Sequence, residues 1–451
     1  MSIHISDKAL QDLEFTTVIQ QVAEFSISEL GKRKVLETLP FSNKKQLLQE
    51  LNFANEYISS FESDNRIPNH GFDNIYEQIK RLSIEDSYIE PESFLKIAAV
   101  TTSIKELKRY FNKFNSYYPS LFEFSEQITF IQDIIDEIRK IVSNYGQIVD
   151  NASPELRKIR RSIGGLQGKI GQSFTSALNR AKAAGYLDDI KESIIDNHRV
   201  LAVLAMNRKK VSGSLLGSSK SGNIVYIAPQ ATLAYQRELQ NLEYEEKQEV
   251  IRILKALSSF IRPYAPLIES YLMYLTHLDV IGSKAKYAYS INGILPKIKK
   301  TKRVYFKNAF HPILYVNNKE EKLEIVPQTI ELNDKQQIIV ISGPNAGGKS
   351  ITLKTIGLLQ IMLQSGILIP VDERSETTIF NTILTDIGDN QSIENQLSTY
   401  SYRLKNMRYF LRNCNENTLF LIDEFGTGSD PELGGALAEI FLEEFYHKKA
   451  F

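Results

Sequence analysis

The spacing of apolar residues along the first 300 positions is that of amphipathic helices. In residues 9–37, apolar side chains recur at helical intervals, and the segment stops near Pro40. Residues 94–111 and 128–142 repeat this spacing. The pattern therefore predicts a mostly helical first region.

Two longer helices are predicted on either side of residue 200. Ser153 followed by Pro154 is a typical helix start, because serine caps the free N–H groups and proline fits the first turn. The helix that follows is strongly basic over residues 157–161. Residues 233–261 carry apolar side chains on one side and glutamates on the others, and Pro263 ends this second helix.

A stretch of different character lies between these helices. Residues 199–206 and 223–228 are rich in β-branched and apolar side chains. The basic residues 208–210 and a segment rich in glycine and serine, residues 212–222, join them. This arrangement predicts a small hairpin-like element inserted between two long helices.

After about residue 303 the pattern becomes α/β. Residues 337–342 form a short apolar run that is typical of a buried parallel strand, and residues 418–423 form a second. Helical segments follow each run. The fold class predicted for the whole chain is multidomain, with a mostly helical first part and an α/β second part.

The first predicted strand is followed by a complete P-loop pattern. Glycines let the backbone N–H groups turn toward phosphate oxygens, and the positive end of the next helix adds to that field. The lysine can reach the β and γ phosphates, and the serine hydroxyl can bind magnesium. A glycine-rich turn with an incidental Lys-Ser pair is the alternative, but the flanking strand and helix favour nucleotide binding. The eight residues are Gly343, Pro344, Asn345, Ala346, Gly347, Gly348, Lys349 and Ser350.

Two acidic residues, Asp423 and Glu424, end the second predicted strand. An aspartate at this place beside a P-loop is where a Walker B residue holds magnesium. Glu424 is placed to orient and deprotonate an attacking water. Two solvated acids at a strand end are the alternative, and the P-loop favours catalysis.

Three further features are less specific. The polar residues 386–401 can sense a γ phosphate or cap a helix, and residues 426–431 form a turn. Basic residues gather at 157–161, 208–210 and 297–303. They are either solvated surface or contacts for a nucleic-acid backbone. His311, before Pro312, is expected to be structural rather than a stacking partner for a base.

Composition narrows the classes of protein that fit. Lys plus Arg and Asp plus Glu both number 54, so no general basic coat for nucleic acid exists. The single cysteine, Cys414, excludes a disulfide framework and a cysteine-based zinc site. No apolar run is long enough for a membrane span, and the first ten residues lack a secretory signal. We therefore expect a cytoplasmic protein without a membrane partner.

These motifs resemble the MutS ATPase family, and in particular its second bacterial branch, MutS-two. The P-loop continues into Ile-Thr-Leu-Lys-Thr-Ile-Gly-Leu-Leu, which is similar to the family's sequence after the same motif. The resemblance extends over nearly the whole chain. The other segments that carry it are residues 13–36, 156–161, 278–288, 386–401 and 423–431.

The resemblance implies a domain arrangement. Residues 1–300 would form a helical core and lever, with a small β-containing clamp insert at about 195–232 that approaches nucleic acid. Residues 301–451 would form an α/β, ABC-type ATPase domain. Family members act as dimers with two composite ATP sites, so a homodimer is expected.

The resemblance also implies roles for individual residues, with ATP and Mg²⁺ as cofactors. The P-loop would bind the nucleotide, with Lys349 and Ser350 on the phosphates and magnesium. Asp423 would also hold magnesium, and Glu424 would act on water. A segment similar to the family's signature would face the partner's nucleotide; its residues are Ser398, Thr399 and Ser401.

Two departures from the family pattern shape the expected function. No separate domain precedes the lever, so direct reading of mismatched DNA is not expected. The sequence stops about twenty residues after Pro431. We therefore expect an ATPase domain that is incomplete at its C-terminus, and nuclease activity of the family would need the missing domain.

The leading functional hypothesis is an ATPase that clamps branched or distorted DNA. Closure on ATP and resetting by hydrolysis would suppress recombination and contribute to DNA repair. A ribosome-splitting or rescue factor that binds ribosomal RNA is the second hypothesis. An ABC-like motor without nucleic acid is the third, and both the long helices before the P-loop and the lack of a membrane segment count against it.

Overall fold

The computed structural model describes residues 3–196, 198–324, 326–344, 348–387, 399–424 and 430–451. Helices and three small sheets make up these ranges, which confirms a mixed helical and sheet architecture. Among the described residues, no helix is both long enough and apolar enough to cross a membrane.

The helices of the described ranges differ widely in length, and the two longest flank the middle of the chain. In order from α1 to α15 they are Asp7–Asp12, Phe15–Ala23, Glu29–Leu36, Lys44–Ser59, Tyr76–Leu82, Pro91–Lys113, Pro119–Glu126, Asp133–Ile141, Pro154–Ala183, Gln230–Ile261, Ala265–Ser290, Pro312–Glu321, Lys349–Gln364, Thr399–Asn413 and Pro431–His447.

The strands form three sheets whose spatial orders are β1-β10-β11, β2-β3-β5-β4 and β6-β9-β7-β8. In order from β1 to β11 they are His4–Ile5, Leu187–Ile195, His198–Leu204, Gly213–Ser218, Ile224–Pro229, Lys297–Ile298, Arg303–Ala309, Gln328–Asn333, Glu376–Thr377, Thr382–Asp386 and Thr418–Ile422.

The first predicted helical segment, residues 9–37, is divided into the three helices α1, α2 and α3. One break is at Glu14, whose φ of 57° is left-handed and cannot continue a right-handed helix. The other break precedes α3, where the buried Asp279 carboxylate accepts hydrogen bonds from the N–H groups of Ile27 and Ser28 at 2.9 and 2.8 Å. Apolar spacing alone does not reveal either break, since both depend on the local backbone or on a distant partner.

The two long helices around residue 200 are confirmed as α9 and α10, which span 30 and 32 residues. Ser153 caps α9, because its Oγ accepts a hydrogen bond from the N–H of Leu156 at 3.0 Å. Between them lies an antiparallel sheet of four strands, so the predicted hairpin-like element is larger than expected. Strand β2 is largely polar and contains Asp188, Asp189 and Lys191. The spacing of apolar residues therefore did not predict it.

The antiparallel sheet has a small core of its own. Phe174 and Ala181 of α9 pack with apolar side chains of β3 and β5, all less than 10% exposed. The residues that these strands contribute are Leu201, Val203, Val225 and Ile227.

The strand predicted at residues 418–423 is confirmed as β11, which pairs in parallel with β10. The strand predicted at residues 337–342 is wrong: this run pairs with no strand of the described residues, and Val340 is 76% exposed. The backbone of Phe451 lies along β11 instead, with hydrogen bonds of 3.0 Å to the Thr418 carbonyl and 2.7 Å from the Phe420 N–H. An apolar run forms a buried strand only where its backbone groups can pair with those of a neighbouring strand.

Contacts between residues divide the described chain into two compact units. One contains Met1–Asn74, Thr102–Phe130 and Ser270–Phe451, and the other contains Ile75–Thr101 and Ile131–Glu269. The division into a lever of residues 1–300 and an ATPase domain of residues 301–451 stays a prediction about function.

Candidate functional site

The P-loop enters helix α13 through two glycines with left-handed backbones. Gly343 has a φ of 154° and Gly348 a φ of 81°, and a side chain at either position would strain the turn. Gly348 is the N-cap of α13 and no side chain caps this helix start within the described residues. The first N–H groups of α13 therefore face a place where an anion is favoured. Asn345, Ala346 and Gly347 lie outside the described residues.

Lys349 begins α13, and its ammonium group contacts the first residue of the P-loop. Its Nζ donates a hydrogen bond of 2.6 Å to the carbonyl oxygen of Gly343, at the other end of the P-loop. The contact is exposed, as is Pro344 within the loop. The ammonium group can exchange this carbonyl for a phosphate oxygen.

The two residues predicted to bind magnesium are in direct contact. Ser350 Oγ donates a hydrogen bond of 2.7 Å to Asp423 Oδ2, although the two residues are far apart in sequence. Both oxygens are hard ligands of the kind that Mg²⁺ prefers. Mg²⁺ is usually held by one or two protein oxygens together with waters and substrate phosphates, so this small set fits the ion.

Glu424 follows directly, in an exposed position at the same edge of the sheet. Its N–H donates a hydrogen bond of 3.1 Å to Asp423 Oδ1, and its φ of 49° is left-handed. The side chain is 57% exposed. Water can therefore reach its carboxylate, as a general base requires.

Helix α14 contributes residues that the sequence motifs did not identify. Arg403 Nη1 donates a hydrogen bond to the carbonyl oxygen of Glu424, and Asn406 Nδ2 donates one of 3.1 Å to Asp386 Oδ1. The carbonyl oxygen of Asp386 accepts from the Asp423 N–H at 2.9 Å. Burial raises the pKa of the Asp386 carboxyl, while the Asn406 amide and the Arg403 charge act against that rise. Arg403 and Asn406 are three residues apart, which places them on one face of a helix. This spacing was the signal in the sequence that could have identified them.

The remaining predicted nucleotide contacts are only partly described. Ser398 lies outside the described residues, as do residues 426–429. Thr399 and Ser401 belong to the first turn of α14, and their side chains lie outside the described part of the structure. Asp430 caps α15, because its Oδ1 accepts from the N–H groups that follow it.

Two of the three basic clusters are engaged in part within the protein. In residues 157–161, Arg160 pairs with Glu246 at 2.8 Å and with Asp150. In residues 297–303, both Lys299 and Arg303 bind Glu376, and Lys302 lies over an aromatic ring. Internal pairing reduces what these cations can offer to a partner.

The third cluster forms an exposed 3₁₀ turn, Ala205–Lys210, that joins β3 to β4. Arg208, Lys209 and Lys210 are all exposed, and no ion pair of Arg208 or Lys209 occurs within the described ranges. Asn207 is the buried residue of the turn. All three cations of this cluster are therefore accessible.

His311 is buried, which favours the structural role expected from the sequence over stacking on a base. It is the N-cap of α12, it is 9% exposed, and burial lowers the pKa of its imidazole to about 4. Its Nδ1 has no hydrogen-bond partner among the described residues.

The chain is similar to known proteins over nearly its whole length. A family model described as MutS domain V matches residues 339–451. Endonuclease MutS2 of Finegoldia magna is 35% identical over 447 residues, which cover 98% of this chain and 56% of that protein. Putative endonuclease MutS2 of Bacillus subtilis is 33% identical over 99% of this chain and 56% of its own length.

Endonuclease MutS2 of Bacillus velezensis is 32% identical over 99% of this chain and 56% of its own length. The chain thus spans about half the length of the curated relatives it matches. The matched domain contains Asp423 and Glu424, and the similarity continues through the helices before it. The chain is a MutS2-like member of the MutS family.

Proposed function

We propose that this chain is a magnesium-dependent ATPase that binds DNA and is reset by ATP hydrolysis. The observation that carries the proposal is the 2.7 Å hydrogen bond between Ser350 and Asp423. This bond joins the start of the P-loop helix to the end of β11, which are the two elements that a nucleotide and its metal must bridge.

Each residue of the site has a proposed role. Lys349 binds the β and γ phosphates, and the P-loop backbone, residues 343–348, surrounds them. Ser350 and Asp423 hold Mg²⁺, which supplies charge neutralisation on the phosphates when it is bound. Glu424 takes a proton from water as the water oxygen bonds to the γ phosphorus. The bond from that phosphorus to the β-phosphate oxygen breaks, which gives ADP and phosphate.

We propose a homodimer that clamps branched or distorted DNA, with Ser398, Thr399 and Ser401 facing the partner's nucleotide. The exposed cations of residues 208–210 support backbone contacts, since Lys and Arg bind DNA phosphates through charge. The name of these relatives, endonuclease MutS2, also points to nucleic acid. Suppression of recombination and a part in DNA repair would follow from binding such branched intermediates.

The test uses Glu424→Gln, which should bind ATP and stop before hydrolysis. The variant is mixed with ATP, Mg²⁺ and a labelled four-way junction, a linear duplex of equal length or purified ribosomal subunits. We expect retention of the junction in preference to the duplex, and a dimer in sedimentation. Lys349→Ala, which should bind ATP about a hundredfold more weakly, is the matched control for the requirement for nucleotide.

Three outcomes would change the proposal. Turnover in Glu424→Gln equal to that of the unaltered chain would remove the assignment of the base. Retention of ribosomal subunits instead of the junction would make a ribosome-splitting or rescue factor the better function. Retention of neither, with ATP bound, would favour a motor ATPase without a nucleic-acid partner.

A further inference from the structure

We propose that Arg403 of helix α14 is a positioning residue for Glu424, a role that no sequence motif of the site assigns. The inference rests on the proposed function, because it concerns the base that activates water. Arg403 contacts Glu424 at two places, and it is largely buried, with 15% of its side chain exposed.

The first contact fixes the backbone. Glu424 has a left-handed φ of 49°, which residues with side chains rarely adopt unless their surroundings hold them there. Arg403 Nη1 donates a hydrogen bond to the carbonyl oxygen of Glu424. This bond favours the orientation of the peptide unit that the left-handed backbone creates. It therefore sets the direction in which the Glu424 side chain leaves the sheet.

The second contact restricts the carboxylate by charge. Arg403 Nη2 lies 3.9 Å from Glu424 Oε2, which is longer than a hydrogen bond. The carboxylate is attracted toward the guanidinium but keeps its 57% exposed surface for water. A tight pair would bury the base. This loose one confines the carboxylate to one side without removing it from solvent.

Arg403 can act in this way because α14 is itself anchored. Met407 and Phe410 are less than 5% exposed and pack with Leu384 of β10. Asn406, three residues after Arg403, binds the Asp386 carboxylate at 3.1 Å. One face of α14 therefore holds the ends of both β10 and β11, and the guanidinium is delivered from a rigid element.

A direct contact between Arg403 and the γ phosphate is the competing role. The two roles differ in how Arg403 and Glu424 combine. A residue that acts through Glu424 loses its effect when Glu424 is already changed, whereas a residue that contacts phosphate keeps it.

The experiment measures single-turnover ATP hydrolysis, ATP affinity and thermal unfolding for Arg403→Gln, Glu424→Gln and the double variant. We expect Arg403→Gln to slow hydrolysis by about 10- to 100-fold, since a small displacement of a catalytic group has effects of this size. Its ATP affinity should change by less than about twofold. In the Glu424→Gln chain, adding Arg403→Gln should slow the residual rate by less than about twofold.

Two further variants separate positioning from general structure. Arg408→Gln makes the same change on the exposed side of α14 and should leave all three measurements unchanged. Arg403→Lys keeps the charge but has one donor group in place of a fork, so its rate should fall between those of Arg403→Gln and the unaltered chain.

The outcomes distinguish the inference from the proposed function. An unchanged hydrolysis rate in Arg403→Gln would overturn the role of Arg403 alone. So would an equally large loss of rate when Arg403→Gln is added to the Glu424→Gln chain. Full hydrolysis in Glu424→Gln would overturn the base, and the inference with it. A chain without any hydrolysis would overturn the proposed function itself.

Discussion

The two sheets β2-β3-β5-β4 and β1-β10-β11 recruit their strands over very different distances along the chain. In the antiparallel sheet, Leu201 pairs with Ile227 and both lie in one continuous segment. In the parallel sheet, His4 pairs with Thr382, which pairs in turn with Thr418. The first sheet is a local unit, whereas the second can form only when distant parts of the chain have met.

The distance in sequence between paired strands is related to the functional residues that each sheet presents. The antiparallel sheet encloses a small apolar core against α9, and its accessible chemistry is one basic turn. The parallel sheet ends at Asp423 and Glu424, beside the start of α13. Joining distant segments lets side chains from α13, β11 and α14 meet at one place, which a local hairpin cannot do.

The largest effect is expected from Leu201→Ala in the antiparallel sheet. Leu201 is fully buried, and removal of its side chain should destabilise the unit that contains it by about 2–5 kcal/mol. ATP affinity should not change if this sheet is independent of the site. Chemical denaturation gives the free energy of unfolding. Ile190→Ala, at a position 64% exposed on β2, is the control and should have little effect.

A somewhat smaller effect on stability is expected from a change of pH. It concerns the compact unit that contains the parallel sheet. The buried His311 has a pKa of about 4, against 6.5 for an exposed imidazole, so the unfolded chain binds the proton more tightly. Stability should therefore fall as the pH is lowered from 6.5 toward 4, by up to about 3 kcal/mol. His311→Gln should flatten that part of the profile.

The control for this pH dependence is His447→Gln, at a side chain 66% exposed. Unfolding free energies of all three chains are compared between pH 4 and 7. Equal slopes in His311→Gln and the unaltered chain would show that His311 is not the group responsible.

Lys349→Ala tests the edge of the parallel sheet itself. Loss of a charged donor to phosphate should weaken ATP binding by about a hundredfold, with little change in stability, because Lys349 is only partly buried and its bond to Gly343 is exposed. Titration with a fluorescent ATP analogue measures the affinity. Lys354→Ala is the matched control on the same helix, since Lys354 pairs with Glu14 at 2.6 Å. Equal loss of affinity in both variants would contradict a specific role for Lys349.

The same comparison explains how far the sequence could predict the structure. Helices α6, α9 and α10 and strand β11 follow from apolar spacing and from caps such as Ser153, which are local signals. The P-loop and Asp423 follow from motifs. Residues 337–342 look like a strand by composition, but pairing decides the outcome and composition does not reveal which edge is free. Arg403 was missed because its partner is distant in sequence, and helical spacing alone gives no partner.

The smallest change in the free energy of unfolding is expected from replacing glycines within helices, and two such glycines are compared. Gly357 lies in α13, where an added Cβ would come within 2.3 Å of a Leu421 methyl group and 2.7 Å of Leu13. Both leucines are buried, so Gly357→Ala must displace packed side chains and should destabilise by about 1–2 kcal/mol even after the gain in helix propensity. Thermal and chemical unfolding measure the change.

Gly171→Ala makes the same substitution in α9, where nothing lies within 4 Å of the added atom. Here the reduced backbone entropy of alanine should stabilise the helix by about 0.5–1 kcal/mol. The opposite signs would show that α13 is packed tightly between distant segments, whereas this face of α9 is open. Equal signs at both positions would mean that the contacts of α13 with Leu13 and Leu421 relax freely, and that the non-local packing of the parallel sheet is looser than its geometry indicates.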